Sequence, residues 1–183
     1  MSTVPVAVGL TGYARSGKDT VARVLVEEFG YQPLALADPV REMALALDPL
    51  IAGSPSARLG EVVAQLGWDR AKERYPEVRR VLQRLGTDCV RDLLGERVWI
   101  ARAAARMTVR PNDRWVITDV RFPNEAEALC DVVWRVVRPG VGPANSHRSE
   151  QAVGLVPHDV VIRNDGDVEQ LRARVRVALE EYL

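Results

Sequence analysis

The chain has 183 residues, 25 acidic and 25 basic, no net charge at pH 7 and 47% hydrophobic residues. Such a length builds one domain with a substantial core, and the charge balance excludes a global field for nucleic acid or an acidic membrane, so any anion site must be local. The N-terminal MSTVPVAVGL has no basic region, and no later apolar run approaches the ~20 residues of a membrane span, which predicts a soluble cytoplasmic protein.

The apolar, β-branched run over 4–10 reads as a strand buried on both faces. It leads into GYARSGKDT at 12–20, which completes G-x-x-x-x-G-K through Gly12, Gly17 and Lys18, then puts Asp19 where a hydroxyl is expected and Thr20 one place later. A helix is predicted over 17–29, with a stripe of Val21, Val24, Leu25 and Phe29 and a stop at Gly30. YQPLALA at 31–37 is a second strand, Asp38-Pro39 opens a helix to about Leu47, and 48–57, with Pro49, Gly53 and Pro55, is a loop. From about 56 to 107 the pattern is helical with no strand in it, broken near Pro76 and at Gly86 and Gly95. WVITD at 115–119 is a third strand, followed by a helix from Pro123; 132–138 is a fourth strand and 159–163 a fifth. Between the last two lies a glycine and proline loop, and the final helix runs from about Val168 to the end. This alternation predicts a single α/β domain over 1–183, three layers around a parallel sheet of about five strands with right-handed crossovers.

Three clusters carry chemistry. In the first loop, glycines turn backbone N–H groups toward phosphate oxygens, the following helix points its positive end there, and Lys18 offsets charge on the outer phosphates. Of the 25 basic residues only Lys18 and Lys72 are lysine, so a compact ammonium has been kept where a planar guanidinium fits less well. Asp19 is either a first-turn acid favoured by the helix dipole or a Mg²⁺ ligand, and Thr20 can supply a hydroxyl in both cases. In WVITDVRFPNE a strand delivers Asp119 at its carboxyl end, where ligands of open α/β sheets bind, followed by Arg121 and Glu125. Asp119 reads as an acid near a metal or as an acceptor of a substrate hydrogen bond, and Arg121 suits bidentate phosphate contact. Along 79–99, Arg79 or Arg80, Gln83 and Thr87 share a helix face opposite Val78, Val81, Leu82, Leu85 and Cys89; on pattern alone the polar face is solvated and Trp99 is core. Cys89 and Cys130 lack metal-ligand spacing and read as ordinary reduced residues in or near the core.

Taken together, GYARSGKDT, the LQRLGTD block that continues to Trp99, TDVRFPNEAEAL, HRSE and RNDGDVEQL resemble, in order and over nearly the whole chain, the bacteriophage deoxynucleoside monophosphate kinases. The resemblance implies the P-loop kinase fold with a helical substrate-binding insertion at about 56–107, and transfer of the terminal phosphoryl of ATP, with Mg²⁺, to deoxynucleoside monophosphates. It assigns Gly12, Arg15, Ser16, Gly17, Lys18, Asp19 and Thr20 to the phosphate donor, with Asp19 and Thr20 at the metal. To the acceptor it assigns Arg79, Arg80, Gln83, Gly86, Thr87, Trp99, Asp119 and Glu125, with Arg121 beside the transferring phosphates. Asp38 and Arg41 follow the second strand, where nucleotide kinases approach the acceptor.

The segment 139–150 resembles the family's mobile cover, with Arg138, His147 and Arg148 poised to close, or else is a solvated connection. Asn164 and Asp165 lie where such kinases contact the donor base, or form a plain turn before the last helix. The implied partners are small-molecule nucleotides, with no nucleic acid and no membrane, in a monomer or homodimer, in the host cytoplasm if the protein is phage-encoded.

A monophosphate acceptor has its second pKa near 6 and needs no catalytic base at neutral pH, so Lys18, Arg121 and Asp119 are the residues expected to carry the chemistry, by positioning and charge. The rival readings are a P-loop kinase of another small phosphorylated metabolite, phosphomevalonate-like or dephospho-coenzyme A-like, and a non-catalytic ATP sensor.

Overall fold

The computed structural model describes residues 5–53 and 56–182; Val4, Pro55 and Leu183, which the expected first strand, loop and last helix include, lie outside the described residues. Two compact units result, one ending at Leu36 and resuming at Ile100, the other Ala37–Trp99. The first opens with β1 (Ala7–Thr11), α1 (Lys18–Phe29) and β2 (Gln32–Leu34). The second holds α2 (Asp38–Leu47), β3 (Leu50–Ile51), β4 (Ala57–Arg58), α3 (Leu59–Arg74), α4 (Pro76–Gln83), a π-helical stretch Arg84–Arg91 and α5 (Asp92–Leu94). After α6 (Val98–Thr108), which carries the chain back into the first unit, come β5 (Trp115–Ile117), α7 (Pro123–Leu129), β6 (Val132–Val137), α8 (Arg148–Ala152), β7 (Val160–Arg163) and α9 (Val168–Glu180). Among the described residues no helix is long and apolar enough to cross a membrane.

The first unit is a five-stranded parallel sheet in the order β2-β5-β1-β6-β7, as the alternating pattern predicts. β1 sits at its centre, with Gly9 opposite Ile117 on one side and Leu10 opposite Trp134 on the other. Every residue of β1 is buried, which is why it reads as an unbroken apolar run. Val8 and Leu10 face one way and join Val116, Trp134, Val136 and Ile162 in a core closed by Val21, Val24 and Leu25 of α1 and Leu171, Val175 and Leu179 of α9. Burying each such side chain stabilises the unit by about 1.5–3 kcal/mol. Gly9 faces the other way, toward Val120 and Cys130 at the two ends of the α7 segment, so helices cover both faces. The Cys130 thiol is pushed up to about 12, mainly by burial, and is inert.

In the second unit Ala44, Ile51, Leu59, Val62, Ala71 and Val78 form a separate core. Three expectations are corrected there. The stretches read as a loop at 48–57 and as strand-free from 56 contain an antiparallel pair, Leu50 opposite Arg58 and Ile51 opposite Ala57; two residues per strand are too few to show an alternation. Gly86 does not break the helix. A Cβ there would lie 3.3 Å from a Val40 methyl, so the glycine serves close packing of α2, whereas the kink falls at Gly67, with φ at 71°. The helix widens to i→i+5 bonding over 84–91, which shifts the phase of its faces. As a result Thr87, placed by i,i+4 spacing on the polar face, is buried, while Cys89, placed on the apolar face, is exposed.

The tight approach at Gly9 gives a direct check. Gly9→Ala would drive a methyl into the Cys130 thiol and should destabilise the protein by about 1–3 kcal/mol. A thermal melt should show the loss, and adding Cys130→Ala should recover a large part of it.

Candidate active site

Leaving β1, the chain turns through Gly12 at φ 136°, Arg15 at φ 68° and Gly17 at φ 106° before α1 begins at Lys18. This left-handed backbone lets a loop wrap its N–H groups around an anion. Side chains are excluded by contact as well. A Cβ on Gly12 would strike the Val136 carbonyl, and one on Gly17 would lie 2.5 Å from Asn164 Nδ2. Asn164, at the exit of β7, donates from Nδ2 to the Ser16 carbonyl at 2.8 Å and so braces the loop from the sheet. Two buried hydroxyls, Thr11 Oγ1 and Ser16 Oγ, have no hydrogen-bond partner among the described residues. Each costs about 1–3 kcal/mol if left unanswered.

Lys18 Nζ donates to the Tyr13 carbonyl at 2.8 Å. Burial, and then the neighbouring Arg121 guanidinium, push its pKa down to about 8, with Asp19, Asp119 and Glu150 pulling the other way. The same cavity is lined by Gly12, Lys18, Asp119, Arg121 and Glu150. Asp119 lies just beyond β5 and its Oδ1 accepts from Leu36 N at 2.7 Å, which ties together the carboxyl ends of two neighbouring strands. Arg121 is held at both ends. Its backbone N–H donates to Glu125 Oε2 at 2.8 Å, an oxygen that also accepts from Phe122 N at 3.0 Å at the start of α7, and its Nη1 meets Glu150 Oε1 at 2.9 Å. Glu125 and Glu150 are both buried.

The structure therefore brings Gly12, Ser16, Gly17, Lys18, Asp119 and Arg121 to the carboxyl edge of the sheet, with Glu125 behind Arg121 as its backbone support. Asp19 and Arg15 are exposed and Thr20 is half-buried in the first turn of α1; none of the three lines the cavity. In 139–150, His147 starts α8 by accepting from Ser149 N, Arg148 lies 5.9 Å over the Phe122 ring, and Arg138 is exposed. Asp165 takes its hydrogen bonds from Arg163 and Arg174.

In the second unit, Arg41 pairs with Asp38 at 3.1 Å and lies 6.0 Å from the Trp68 ring centre. The Asp69 carboxyl is held below its ordinary pKa by a hydrogen bond from Lys72 and by the charges of Lys72, Arg41 and Arg79, which places Arg41 and Arg79 in one neighbourhood. Arg80 is exposed and paired with Glu77, and Gln83 is half-buried. Trp99 is 8% exposed and donates from Nε1 to the Gly86 carbonyl at 2.8 Å, so its polar edge is committed to the helix beside it.

Glu150 is the site residue that sequence reasoning missed. The HRSE motif drew attention to its histidine and arginine, and nothing in a glycine and proline loop distinguishes an acid that will be buried from one left in water. The Asn164 side chain serves the loop backbone, a role that the sequence does not show.

A glycine-rich turn between a buried central strand and a helix, with lysine and arginine converging at the carboxyl edge of a parallel sheet, defines a phosphate-loop kinase. A solved dephospho-CoA kinase from Campylobacter jejuni shares the fold, with a TM-score of 0.50 at 13% identity over 96% of each chain. The family model "Deoxynucleotide monophosphate kinase" matches residues 61–175, more than half of the chain, and the chain belongs to that family. A putative deoxynucleotide monophosphate kinase of Acanthamoeba polyphaga mimivirus is 28% identical over 93% of this chain and 94% of its own length. The deoxynucleotide monophosphate kinase of Enterobacteria phage T4 is 31% identical over 56% of this chain and 45% of its own. The protein is a phosphotransferase, and a nucleotide kinase.

Lys18 supplies a pH test. A bound polyanion favours the ammonium, so above about pH 8, where free Lys18 loses its proton, binding must take one up. Affinity for inorganic tripolyphosphate should then weaken by up to about tenfold per pH unit as pH rises further. Calorimetry over pH 7–10 checks this, and Lys18→Met should abolish the slope.

Proposed function

We propose that the protein transfers the γ-phosphoryl of MgATP to deoxynucleoside monophosphates, giving the diphosphate and ADP. The observation that carries this reading is the convergence of Lys18 and Arg121 on one cavity beside the braced loop, in a chain of the deoxynucleotide monophosphate kinase family. The loop residues Gly12, Ser16 and Gly17 receive the donor phosphates, and Lys18 turns from the Tyr13 carbonyl to the outer oxygens. Arg121 answers the charge spread over the transferring group. Because the acceptor phosphate is already ionised at neutral pH, no base is required and the chain's task is alignment and charge compensation.

Mg²⁺ fits this donor set. Mg²⁺ is ordinarily held by one or two carboxylates together with substrate phosphates and water, and Asp119 puts a carboxylate in the cavity. Asp119, in the cavity, and Asp19 and Thr20, at the start of α1, are the residues that would hold it. Bound there, it supplies neutralisation of the phosphate charge. Arg79, Arg80, Gln83, Gly86, Thr87 and Trp99 are assigned to the acceptor on the strength of the family motif, and Asp38 and Arg41 by their place after the second strand. Small-molecule nucleotides are its partners.

ADP release from ATP, followed with each of the four deoxynucleoside monophosphates, tests the reading. Turnover should depend on at least one of them, and a chain that binds ATP without turning over any of the four would be a sensor instead. Arg121→Ala should lower kcat by about 10²–10³-fold, as removal of a transition-state donor does, with ATP affinity within about threefold of the parent. Equal losses in both would sink the role given to Arg121.

A further inference from the structure

We propose that Glu150 is a positioning residue for phosphoryl transfer, acting through Arg121. This rests on the reading of the cavity as the transfer site. Glu150 is 2% exposed, a costly place for a carboxylate unless its oxygens are answered by donors or cations. Both are. Oε1 takes Arg121 Nη1 at 2.9 Å and Oε2 accepts from Ala144 N at 3.2 Å. One side chain thus joins the guanidinium in the cavity to the segment that precedes α8.

The geometry matters because a guanidinium is a planar fork whose direction decides which oxygens it meets. With Nη1 fixed on Glu150 and the backbone N–H fixed on Glu125, the long Arg121 side chain is anchored at its root and at its tip. The ordering is complete without a ligand, because both contacts are made within the chain. Glu150 also helps keep Lys18 charged, since its carboxylate raises a pKa that burial and Arg121 lower. One carboxylate at the cavity therefore pairs with Arg121 and favours the charge on Lys18.

Glu150→Gln keeps the shape but can no longer accept at both ends, because one oxygen becomes an amide NH₂ donor. It should lower kcat by about 10–100-fold while the KM for ATP stays within about threefold. In an Arg121→Ala background the same substitution should cost no more than about twofold, since its effect passes through Arg121. Glu150→Asp, one methylene shorter with its charge kept, should give an intermediate loss and serves the same cycle if the glutamine variant does not fold. Additive losses, or wild-type kcat in Glu150→Gln, overturn the assignment. Absence of turnover in the wild type would instead overturn the kinase reading, and the two failures are separated by a readout without catalysis. Nitrogen-15 NMR of the Arg121 guanidinium, assigned with Arg121→Lys, should show slow rotation about Cζ–Nη1 in the wild type and fast rotation in Glu150→Gln. Fast rotation in both overturns the proposal irrespective of activity.

Discussion

Two cations must sit side by side in a half-buried cavity, and the rest of the first unit is arranged around that constraint. Lys18 comes from the first residue of α1 and Arg121 from the turn after β5, and each is disfavoured by the other and by loss of water. In isolation the arrangement would neutralise the lysine and splay the arginine. Asp119 and Glu150 face the pair from the same cavity, with Asp19 outside it, and balance the field without filling the loop. The parallel sheet makes this possible by delivering the loop, Asp119 and Asn164 from the carboxyl ends of three different strands to one edge. Such a field favours a polyanion, which adds negative charge where two positive groups are already held.

The supports are side chains that hold backbone groups, two of them from far away in sequence and one, Glu125, from four residues on. Asn164 holds the loop at Ser16, Glu125 holds Arg121 at its N–H, and Asp119 bridges to Leu36. Each converts a surface turn into a fixed one, and a fixed array of charge is what lowers the barrier to phosphoryl transfer, since the charges need not reorganise during reaction.

How far this was legible in the sequence depends on the range of the forces involved. The five strands, the helix opening at Asp38-Pro39 and the last helix from Val168 follow from local rules, namely apolar runs, proline in a first turn, and Asp167 with Gln170 as reciprocal caps. The loop and its lysine were legible because one short motif specifies both backbone and chemistry. What eluded the sequence is tertiary. Gly86 looked like a breaker because a glycine usually is one, but it answers to Val40; Thr87 and Cys89 exchanged faces because the helix there widens. Glu150 carries no signal of its own in the sequence, because its ion-pair partner, Arg121, is 29 residues away in the chain.

Lys18 is a half-buried ammonium poised for phosphate by its neighbours. Only two lysines, Lys18 and Lys72, occur in the chain, so carbon-13 NMR of ε-labelled lysine resolves it directly, with Lys72→Arg to assign the pair. Lys18 should titrate near 8 in the free protein and move upward by at least about one unit when tripolyphosphate is bound, while the Lys72 signal stays where it was. A Lys18 titration unchanged by tripolyphosphate would contradict the account.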